Sequence, residues 1–204
     1  LYLRRFRRAK TIALTKTSAA ISAPEIALPR LQSALTKLDY VAWRQSKDRI
    51  GMLRALLRGR SAEALGAAAA IDCGPVDLPG PTGESNQLFL PARGVVLCLG
   101  PDADSLLAQA VQALVLGNAV LAVAERACVT LKALLKQQAQ IPIIALDGHV
   151  RPESIRLLAI DAIAYASQNG EFNAIRQACA DRDGPIIPLI NAPIAPLNYC
   201  SERT

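Results

Sequence analysis

The second half of the chain alternates short apolar runs with amphipathic stretches, and this alternation constrains the fold more than any other feature. Five apolar runs are separated by stretches in which apolar residues recur at three- and four-residue steps. Strand–helix alternation of this kind predicts a parallel sheet wrapped by helices. Right-handed crossovers then give a Rossmann-like topology. The predicted strands cover residues 94–100, 118–124, 141–146, 162–167 and 184–190.

The stretches between these strands predict helices with recognisable ends. The first helix follows GPDAD, where Asp102 or Asp104 can cap the N-terminus, and Gly117 can end the helix. Further helices are predicted over 128–138, 152–158 and 171–180. The sequence therefore predicts an α/β fold.

A basic helical segment precedes the α/β part. Helical periodicity runs from residue 31 to 42, continues over 50–57 and returns over 61–70. Residues 1–60 hold 14 Lys or Arg against 3 Asp or Glu, and the rest of the chain holds 9 against 14. Such a balance suggests an anionic partner. No RNP-like aromatic pattern or zinc-finger spacing accompanies it, which favours solvated helix faces or docking on an acidic protein surface over nucleic acid.

The stretch LPGPTGESN, residues 78–86, is incompatible with a helix or a central strand. Two prolines remove backbone donors, and two glycines favour turn conformations. GPTGES superficially suggests a phosphate loop, but we interpret the stretch as a rigid connector between the helical segment and the first strand. The residues predicted to dock on a neighbouring domain are Pro79, Gly80, Pro81, Thr82, Gly83, Glu84 and Asn86, with Ser85 also available.

Several function classes find no support in the composition. Five cysteines without a CxxC spacing and a single histidine, His149, do not favour a metal site, and reduced thiols are expected. The sequence contains no uninterrupted apolar run of roughly 18 residues, so it predicts no membrane span. The basic start lacks the apolar core of a signal peptide. Because residue 1 is Leu, we expect the chain to be a piece of a longer one.

Nucleotide-binding motifs are absent from the sequence, which contains neither GxGxxG nor GxxxxGK[ST]. Two carboxylates, Asp102 and Asp104, stand where a pyrophosphate would approach the first helix. Ser167, Asn169 and Gly170 are the candidate cofactor-binding residues, because ligands of α/β sheets bind at the carboxyl ends of strands. The competing interpretation of this trio, which we favour, is a serine cap with a polar turn.

The bend and the strand that follows it resemble a known family. LPGPTGESN at 78–86, PARGVVLCLG at 91–100 and LGNAVL at 116–121 resemble the C-terminal domain of long proline utilization A proteins. These bifunctional enzymes carry proline dehydrogenase and glutamate semialdehyde dehydrogenase modules on one chain. The resemblance covers residues 70–190, and the opening LYLRRF is similar to the end of the dehydrogenase module.

That C-terminal domain is itself similar to the nucleotide-binding half of aldehyde dehydrogenases, and three departures from the active pattern stand out. Active members have Pro-Trp-Asn after the GVV strand, whereas residues 100–102 are Gly-Pro-Asp, and a carboxylate cannot donate to an oxyanion. Their Lys-Pro-Ser-Glu is replaced by Val-Ala-Glu-Arg at 123–126. Their Phe-Thr-Gly-Ser turn is replaced by Tyr-Ala-Ser at 165–167, where only the serine remains. The resemblance therefore implies no catalytic residue in this chain.

The resemblance implies a non-catalytic structural domain of an enzyme. In the parent, FAD-linked oxidation of proline gives pyrroline-5-carboxylate, and its hydrolysis product, glutamate semialdehyde, is oxidised by NAD to glutamate. The domain is expected to pack against the catalytic modules of its own chain and to help close the cavity through which the intermediate passes. FAD and NAD are expected in the parent, and no cofactor in this stretch.

Two other functions stay open. One is a working NAD-binding domain of an aldehyde-dehydrogenase-like enzyme, and the other is a nucleic-acid-binding module that uses the cations between residues 4 and 60. We expect no nucleic acid partner, no transmembrane segment and a cytoplasmic location, with self-association and a peripheral site at the inner membrane as open alternatives. The expected boundaries are 1–28 for the end of the preceding module and a linker, 29–77 for the helical segment and 78–204 for the Rossmann-like domain.

Overall fold

The computed structural model describes residues 23–80 and 86–203 of the 204-residue chain. The fold is α/β: a five-stranded parallel sheet lies between two layers of helices, and a helical segment and a two-stranded ribbon precede it. The predicted fold class is therefore confirmed. Residues 1–22 of the segment predicted over 1–28 to be the end of a preceding module and a linker lie outside the described residues, as do the bend residues Pro81, Thr82, Gly83, Glu84 and Ser85.

From β3 onward, the strands and helices follow the predicted alternation. The helices are α1 (Leu28–Leu35), α2 (Val41–Gln45), α3 (Arg49–Leu57), α4 (Ala62–Ala69), α5 (Ala103–Val115), α6 (Ala127–Thr130), α7 (Lys132–Leu135), α8 (Pro152–Ile155) and α9 (Gly170–Ala180), with a 3-10 turn at Pro196–Tyr199. The strands are β1 (Val76–Leu78), β2 (Asn86–Leu88), β3 (Val95–Cys98), β4 (Ala119–Ala124), β5 (Ile143–Asp147), β6 (Ala162–Ala164) and β7 (Leu189–Ile190).

The parallel sheet has the strand order β5-β4-β3-β6-β7. The chain therefore builds outward from β3 in one direction through β4 and β5, and then returns to the other side of β3 with β6. Val96 of β3 pairs with Val120 on one side and Ala162 on the other. This reversal opens a crevice at the carboxyl ends of β3 and β6, which is where sheets of this kind bind ligands.

Alternating side chains of each strand enter separate cores on the two faces of the sheet. Val96 and Cys98 of β3 contribute to the core beneath α2–α5, and Leu97 between them contributes to the core beneath α1, α8 and α9. All three side chains are fully buried. A strand buried on both faces reads as a continuous apolar run, which explains why the run 94–100 identified β3 in the sequence.

The helical segment is fastened to the C-terminal end of α5. The indole Nε1 of Trp43 donates to the carbonyl of Leu114 at 2.9 Å, and Nε of Arg49 donates to the carbonyl of Val115 at 3.3 Å. Nη1 of Arg49 also donates to the carbonyls of Arg44 and Ser46, each at 2.6 Å. These bonds satisfy carbonyls that a helix leaves unpaired at its C-terminus.

The fully buried side chain of Asn118 joins three parts of the fold. Its Oδ1 accepts from the backbone N–H of Gly94 at 3.0 Å, which fixes the start of β3. Its Nδ2 donates to the carbonyls of Ala113 in α5 and Tyr199 in the C-terminal segment, each at 3.1 Å. The preceding Gly117 has φ 84°, a conformation that glycine adopts without strain and that ends α5 as predicted.

Several predicted boundaries were wrong. The helix predicted over 128–138 is two short helices, because the backbone of Leu131 (ψ 11°) leaves the α region between α6 and α7. The strand predicted over 184–190 pairs only at Leu189–Ile190, since Pro185 and Pro188 have no N–H to donate. The strand predicted over 162–167 ends at Ala164, and the helix predicted over 152–158 ends at Ile155.

The antiparallel ribbon of β1 and β2 was not predicted. Leu78 pairs with Asn86, so LPGPTGESN joins the two strands of this ribbon instead of leading straight into the first strand of the parallel sheet. The side chains of β1 are exposed, including Val76 at 45% and Leu78 at 38%. An exposed ribbon of this length lacks the apolar alternation by which sequence identifies strands.

No helix among the described residues has both the length and the apolar character needed to cross a membrane.

The first prediction concerns the stability that the hydrogen bonds of Asn118 contribute. Asn118→Ala leaves the N–H of Gly94 without its buried acceptor and removes one of the two donors to each of the carbonyls of Ala113 and Tyr199, so we expect the free energy of unfolding to fall by roughly 3 kcal/mol. Urea unfolding followed by circular dichroism measures the change. Asn173→Ala, on the exposed face of α9, is the matched control and is expected to change stability by less than about 0.5 kcal/mol. Equal effects of the two substitutions would contradict the role of Asn118.

Candidate functional site

The carboxyl ends of the central strands surround a cleft of about 280 Å³. It lies at the point where the strand order reverses, and is therefore the candidate cofactor site of the fold. Glu125 and Glu171 bring two carboxylates to it, and no lysine or arginine is among the described residues of its lining. The remaining lining residues are Ala23, Leu99, Gly100, Pro101, Val123, Ala124, Gly148, Val150, Tyr165 and Asn169.

The polar side chains that follow β6 form a hydrogen-bond network in which Tyr165 contacts both Asn169 and Glu171. The hydroxyl of Tyr165 donates to Oε2 of Glu171 at 2.7 Å and accepts from Nδ2 of Asn169 at 3.0 Å. Oδ1 of Asn169 accepts from the backbone N–H of Phe172 at 3.0 Å and caps α9. Burial, and then the hydrogen bond to Glu171, raise the pKa of Tyr165 to about 12. These side chains are therefore paired with one another.

The three residues predicted as cofactor-binding candidates at this strand end, Ser167, Asn169 and Gly170, do not all line the cleft. The cap of α9 is Asn169, so the interpretation of Ser167 as a serine cap was wrong: α9 begins at Gly170, three residues after Ser167. The backbone N–H of Ser167 donates to the carbonyl of Tyr165 at 2.9 Å, and Ser167 is not among the residues that line the cleft. Of the predicted trio, the structure places only Asn169 in the cleft wall.

The N-terminus of α5 is capped by a carboxylate, as the sequence predicted. Asp102 accepts from the backbone N–H and from the hydroxyl of Ser105, each at 2.8 Å. The N–H of Ser105 is the main cause of the lowered pKa of Asp102. The positive end of the helix dipole is thus neutralised by the protein's own side chain, and Asp104 adds a second carboxylate in the first turn.

A smaller cavity of about 160 Å³ adjoins this helix end. Asp102, Glu125 and Arg126 line it, so its one cation is outnumbered by carboxylates. A dinucleotide carries a diphosphate with two negative charges, and binding sites for that group present backbone N–H groups and cations. The residues at this edge of the sheet do not fit that requirement.

His149 has a structural contact in this cleft. Its Nδ1 lies 2.7 Å from the carbonyl of Ala23 and donates to it, and its backbone N–H donates to the carbonyl of Pro24 at 3.0 Å. These bonds hold the chain before α1 against the end of β5. The ring therefore positions the chain, as expected for a histidine in a turn.

Of the predicted docking residues, the structure describes Pro79, Gly80 and Asn86, and none of these three lines the cleft. Pro79 and Gly80 follow β1 and are exposed, and Asn86 is exposed at the start of β2. The cysteines within residues 23–80 and 86–203 are free thiols. Within the same ranges, no group of three or more histidine, cysteine or acidic residues could hold a metal ion.

Sequence reasoning missed Gln109. This fully buried residue of α5 accepts from the backbone N–H of Gly100 at 3.0 Å and so shapes the turn between β3 and α5. A polar residue on the buried face of a predicted helix was the available signal.

Comparison with known proteins agrees with the sequence resemblance. The chain is 30% identical over 130 residues to the bifunctional protein PutA of Escherichia coli (strain K12), which covers 62% of this chain and 9% of that protein. A crystal structure of proline utilization A from Bradyrhizobium japonicum covers 81% of this chain and 22% of that chain, with a TM-score of 0.62 and 22% identity. The resemblance to proline utilization A is confirmed.

The fold extends to aldehyde dehydrogenases. A structure of an NAD-dependent benzaldehyde dehydrogenase from Corynebacterium glutamicum covers 81% of this chain and 46% of that chain, with a TM-score of 0.58 and 12% identity. A structure of an NADP-dependent enzyme of E. coli gives a TM-score of 0.63 at 14% identity, over 77% of this chain and 42% of that chain. No family model matches the chain.

The Tyr165 network generates the second prediction. Because the pKa is raised in the folded chain, this tyrosine contributes stability below its ordinary pKa of about 10 and loses the contribution as the pH rises towards about 12. Glu171→Gln removes the neighbouring charge, so we expect the pKa of Tyr165 to fall, as measured by NMR titration of ring-carbon-labelled tyrosine.

The control for this titration is Glu153→Gln on α8, an exposed position that leaves Tyr165 unchanged. An unaltered pKa of Tyr165 in the Glu171→Gln chain would contradict the network.

Proposed function

We propose that the chain is a non-catalytic, aldehyde-dehydrogenase-like domain that supports the catalytic modules of a proline utilization A protein. Two lines support the proposal: the identity to PutA of E. coli and a sheet edge that is unsuited to a dinucleotide. The chain spans 9% of that relative, so the relative's activity does not transfer to it directly.

The observation that most supports the proposal is the carboxyl edge of the sheet, which carries carboxylates and polar side chains that bond to one another. A catalytic aldehyde dehydrogenase half must hold the pyrophosphate of its coenzyme at this edge. Here Asp102 occupies the helix N-terminus, and Tyr165, Asn169 and Glu171 bond to one another. Opening the network for a ligand would break these bonds, and no lysine or arginine among the described residues of the cleft lining would replace them. A structural role does not require this edge to bind a coenzyme.

The proposed role is in a two-step oxidation carried out by the parent. Its first module oxidises proline with FAD, and its second oxidises glutamate semialdehyde with NAD to glutamate. This domain packs against those modules, supports the dehydrogenase fold and helps close the cavity through which the intermediate passes. The chemistry belongs to the catalytic modules, and the parent is cytoplasmic.

Two surfaces are suited to this packing. The ribbon presents exposed apolar side chains, Val76 and Leu78, beside the proline- and glycine-rich bend. The helical segment presents exposed cations, Arg54, Arg58 and Arg60, at the end of α3 and in the turn that follows it. The exposed apolar side chains fit an apolar patch on a neighbouring module, and the exposed cations fit an acidic one.

The alternative is a domain that binds NAD as part of an aldehyde-dehydrogenase-like enzyme. Its support is the fold shared with NAD- and NADP-dependent enzymes and the position of Asn169 in the cleft wall. The carboxylates Asp102, Glu125 and Glu171 oppose it, because each adds to the repulsion of a diphosphate.

Deletion of residues 70–190 from the parent protein tests the proposal. We expect the coupled conversion of proline to glutamate, measured as NADH formation, to fall by roughly tenfold, because the intermediate escapes from an open cavity. Proline oxidation, measured with an artificial electron acceptor, falls less. Unchanged coupled flux together with unchanged semialdehyde dehydrogenase activity would refute the proposal.

A finer variant separates docking from folding. Replacing residues 79–84 by a glycine–serine segment of equal length is expected to lower coupled flux while leaving the sheet intact. The matched control replaces residues 183–186, an exposed loop before β7, in the same way. Equal losses in the two variants would contradict docking through the bend.

A further inference from the structure

A cleft of about 470 Å³ lies where α3 packs against α7. It shares no lining residue with the two clefts at the carboxyl edge of the sheet. Its apolar lining residues are Ala55, Leu56, Leu57 and Ala133, of which Leu57 is 2% exposed and Leu56 is half-buried. Its polar lining residues are Arg58, Arg60, Lys136 and Gln137.

The charged residues of this cleft are all cations. Arg58, Arg60 and Lys136 are exposed, and no aspartate or glutamate is among the described residues of the lining. Between described residues the ion pair present joins Arg151 to Glu25, so none of the three cations has a carboxylate partner in this part of the chain. The described guanidinium groups that bond to backbone carbonyls belong to other arginines, Arg44, Arg49, Arg93, Arg156 and Arg182.

The turn between α3 and α4 holds two of these cations at the cleft. Arg58 has φ 50° and Ser61 has φ 52°, a left-handed conformation that residues with side chains rarely adopt. The N–H of Arg60 donates to the carbonyl of Leu57 at 3.0 Å within the same turn. Strained conformations of this kind persist where the surrounding structure fixes them, and they concentrate at binding sites.

The helix dipoles do not account for the three cations. Both α3 and α7 end beside the cleft, and the carbonyls at a helix C-terminus attract positive charge. Each helix already carries a cation in its last turn, Arg54 in α3 and Lys132 in α7. The cations of the cleft are therefore free to meet an anion from outside the domain.

The lining selects among anionic ligands. A phosphate group would pair with the cations but would make no use of the apolar side chains of Leu56 and Ala133. No aromatic side chain is among the described lining residues, so a nucleobase has no surface on which to stack. A peptide segment whose carboxylates flank an aliphatic side chain uses both parts of the lining, because the charges set its orientation and the apolar contact excludes water.

We propose that this cleft binds an acidic segment of a neighbouring module of the parent protein. An aliphatic side chain of the segment packs against Leu56 and Ala133, and its carboxylates pair with Arg58, Arg60 and Lys136. The guanidinium groups can each hold a carboxylate through two parallel hydrogen bonds, and the ammonium adds a point charge. The inference rests on the proposed function and assigns part of the packing between modules to one cleft.

Zero-length cross-linking in the parent protein tests the source of the segment. A carbodiimide joins an amine to a carboxylate only where the two are in contact, so we expect mass spectrometry to find Lys136 linked to an aspartate or glutamate of a catalytic module. Lys47 is also exposed but lies outside the cleft, and it is the matched control that is expected to stay unlinked. The absence of a link from Lys136 to another module, or an equal yield at Lys47, would overturn the proposal.

A labelled synthetic peptide in which glutamates flank a leucine tests the chemistry on the whole chain by fluorescence anisotropy. The double variant Arg60→Glu with Lys136→Glu is expected to weaken binding by about tenfold or more, because two attractions become repulsions. Lys37→Glu with Arg176→Glu reverses the same charge at exposed positions outside the cleft, and is expected to change the affinity by less than about twofold. Equal weakening by the two double variants would contradict a site at the cleft.

Two further ligands separate a protein segment from other anions. A peptide with serine in place of the leucine is expected to bind about fivefold more weakly, because the apolar contact is lost. Tripolyphosphate that binds as tightly as the leucine peptide would overturn the proposal in favour of a phosphate ligand. A fall in coupled flux after deletion of the domain, together with no cross-link from Lys136, would refute the cleft and leave the proposed function standing.

Discussion

The buried side chain of Asn118 is the interaction on which the arrangement of the sheet depends. It bonds at once to the start of β3, the end of α5 and the C-terminal segment, so it sets where the first strand–helix unit begins and ends. A buried amide with three hydrogen bonds tolerates little displacement of its partners, because its loss leaves the desolvated N–H of Gly94 without an acceptor. β3 and α5, which these bonds hold together, position the turn between them at the carboxyl edge of the sheet.

That edge combines the crevice of a cofactor-binding fold with carboxylates and with polar side chains that bond to one another. The strand order provides the crevice, and the helix dipole of α5 would favour an anion there. The carboxylate of Asp102 already occupies the helix end, and Glu171 is held by Tyr165. The polar groups of the edge therefore stabilise the protein itself, which is compatible with a scaffold that packs against neighbouring modules.

The sequence predicted the parts of the fold that depend on local pattern. Buried parallel strands are continuous apolar runs, so the core of β3 and β4 was found directly, and an aspartate before an apolar helix identified the cap of α5. Pairing decided by distant residues was not predicted, as in the ribbon, whose strands are exposed, and in β7, which prolines shorten. At the candidate site, the choice of Asn169 over Ser167 as cap depends on where α9 begins, and the bond between Tyr165 and Glu171 depends on the angle between strand and helix.

A crystal structure determined after soaking the chain with NAD is the most direct measurement of the central claim. The account predicts that the bond between Tyr165 and Glu171 stays closed and that Asp102 keeps its contact with Ser105, with no ordered dinucleotide at the strand ends. An ordered dinucleotide whose pyrophosphate lies at the N-terminus of α5 would contradict it.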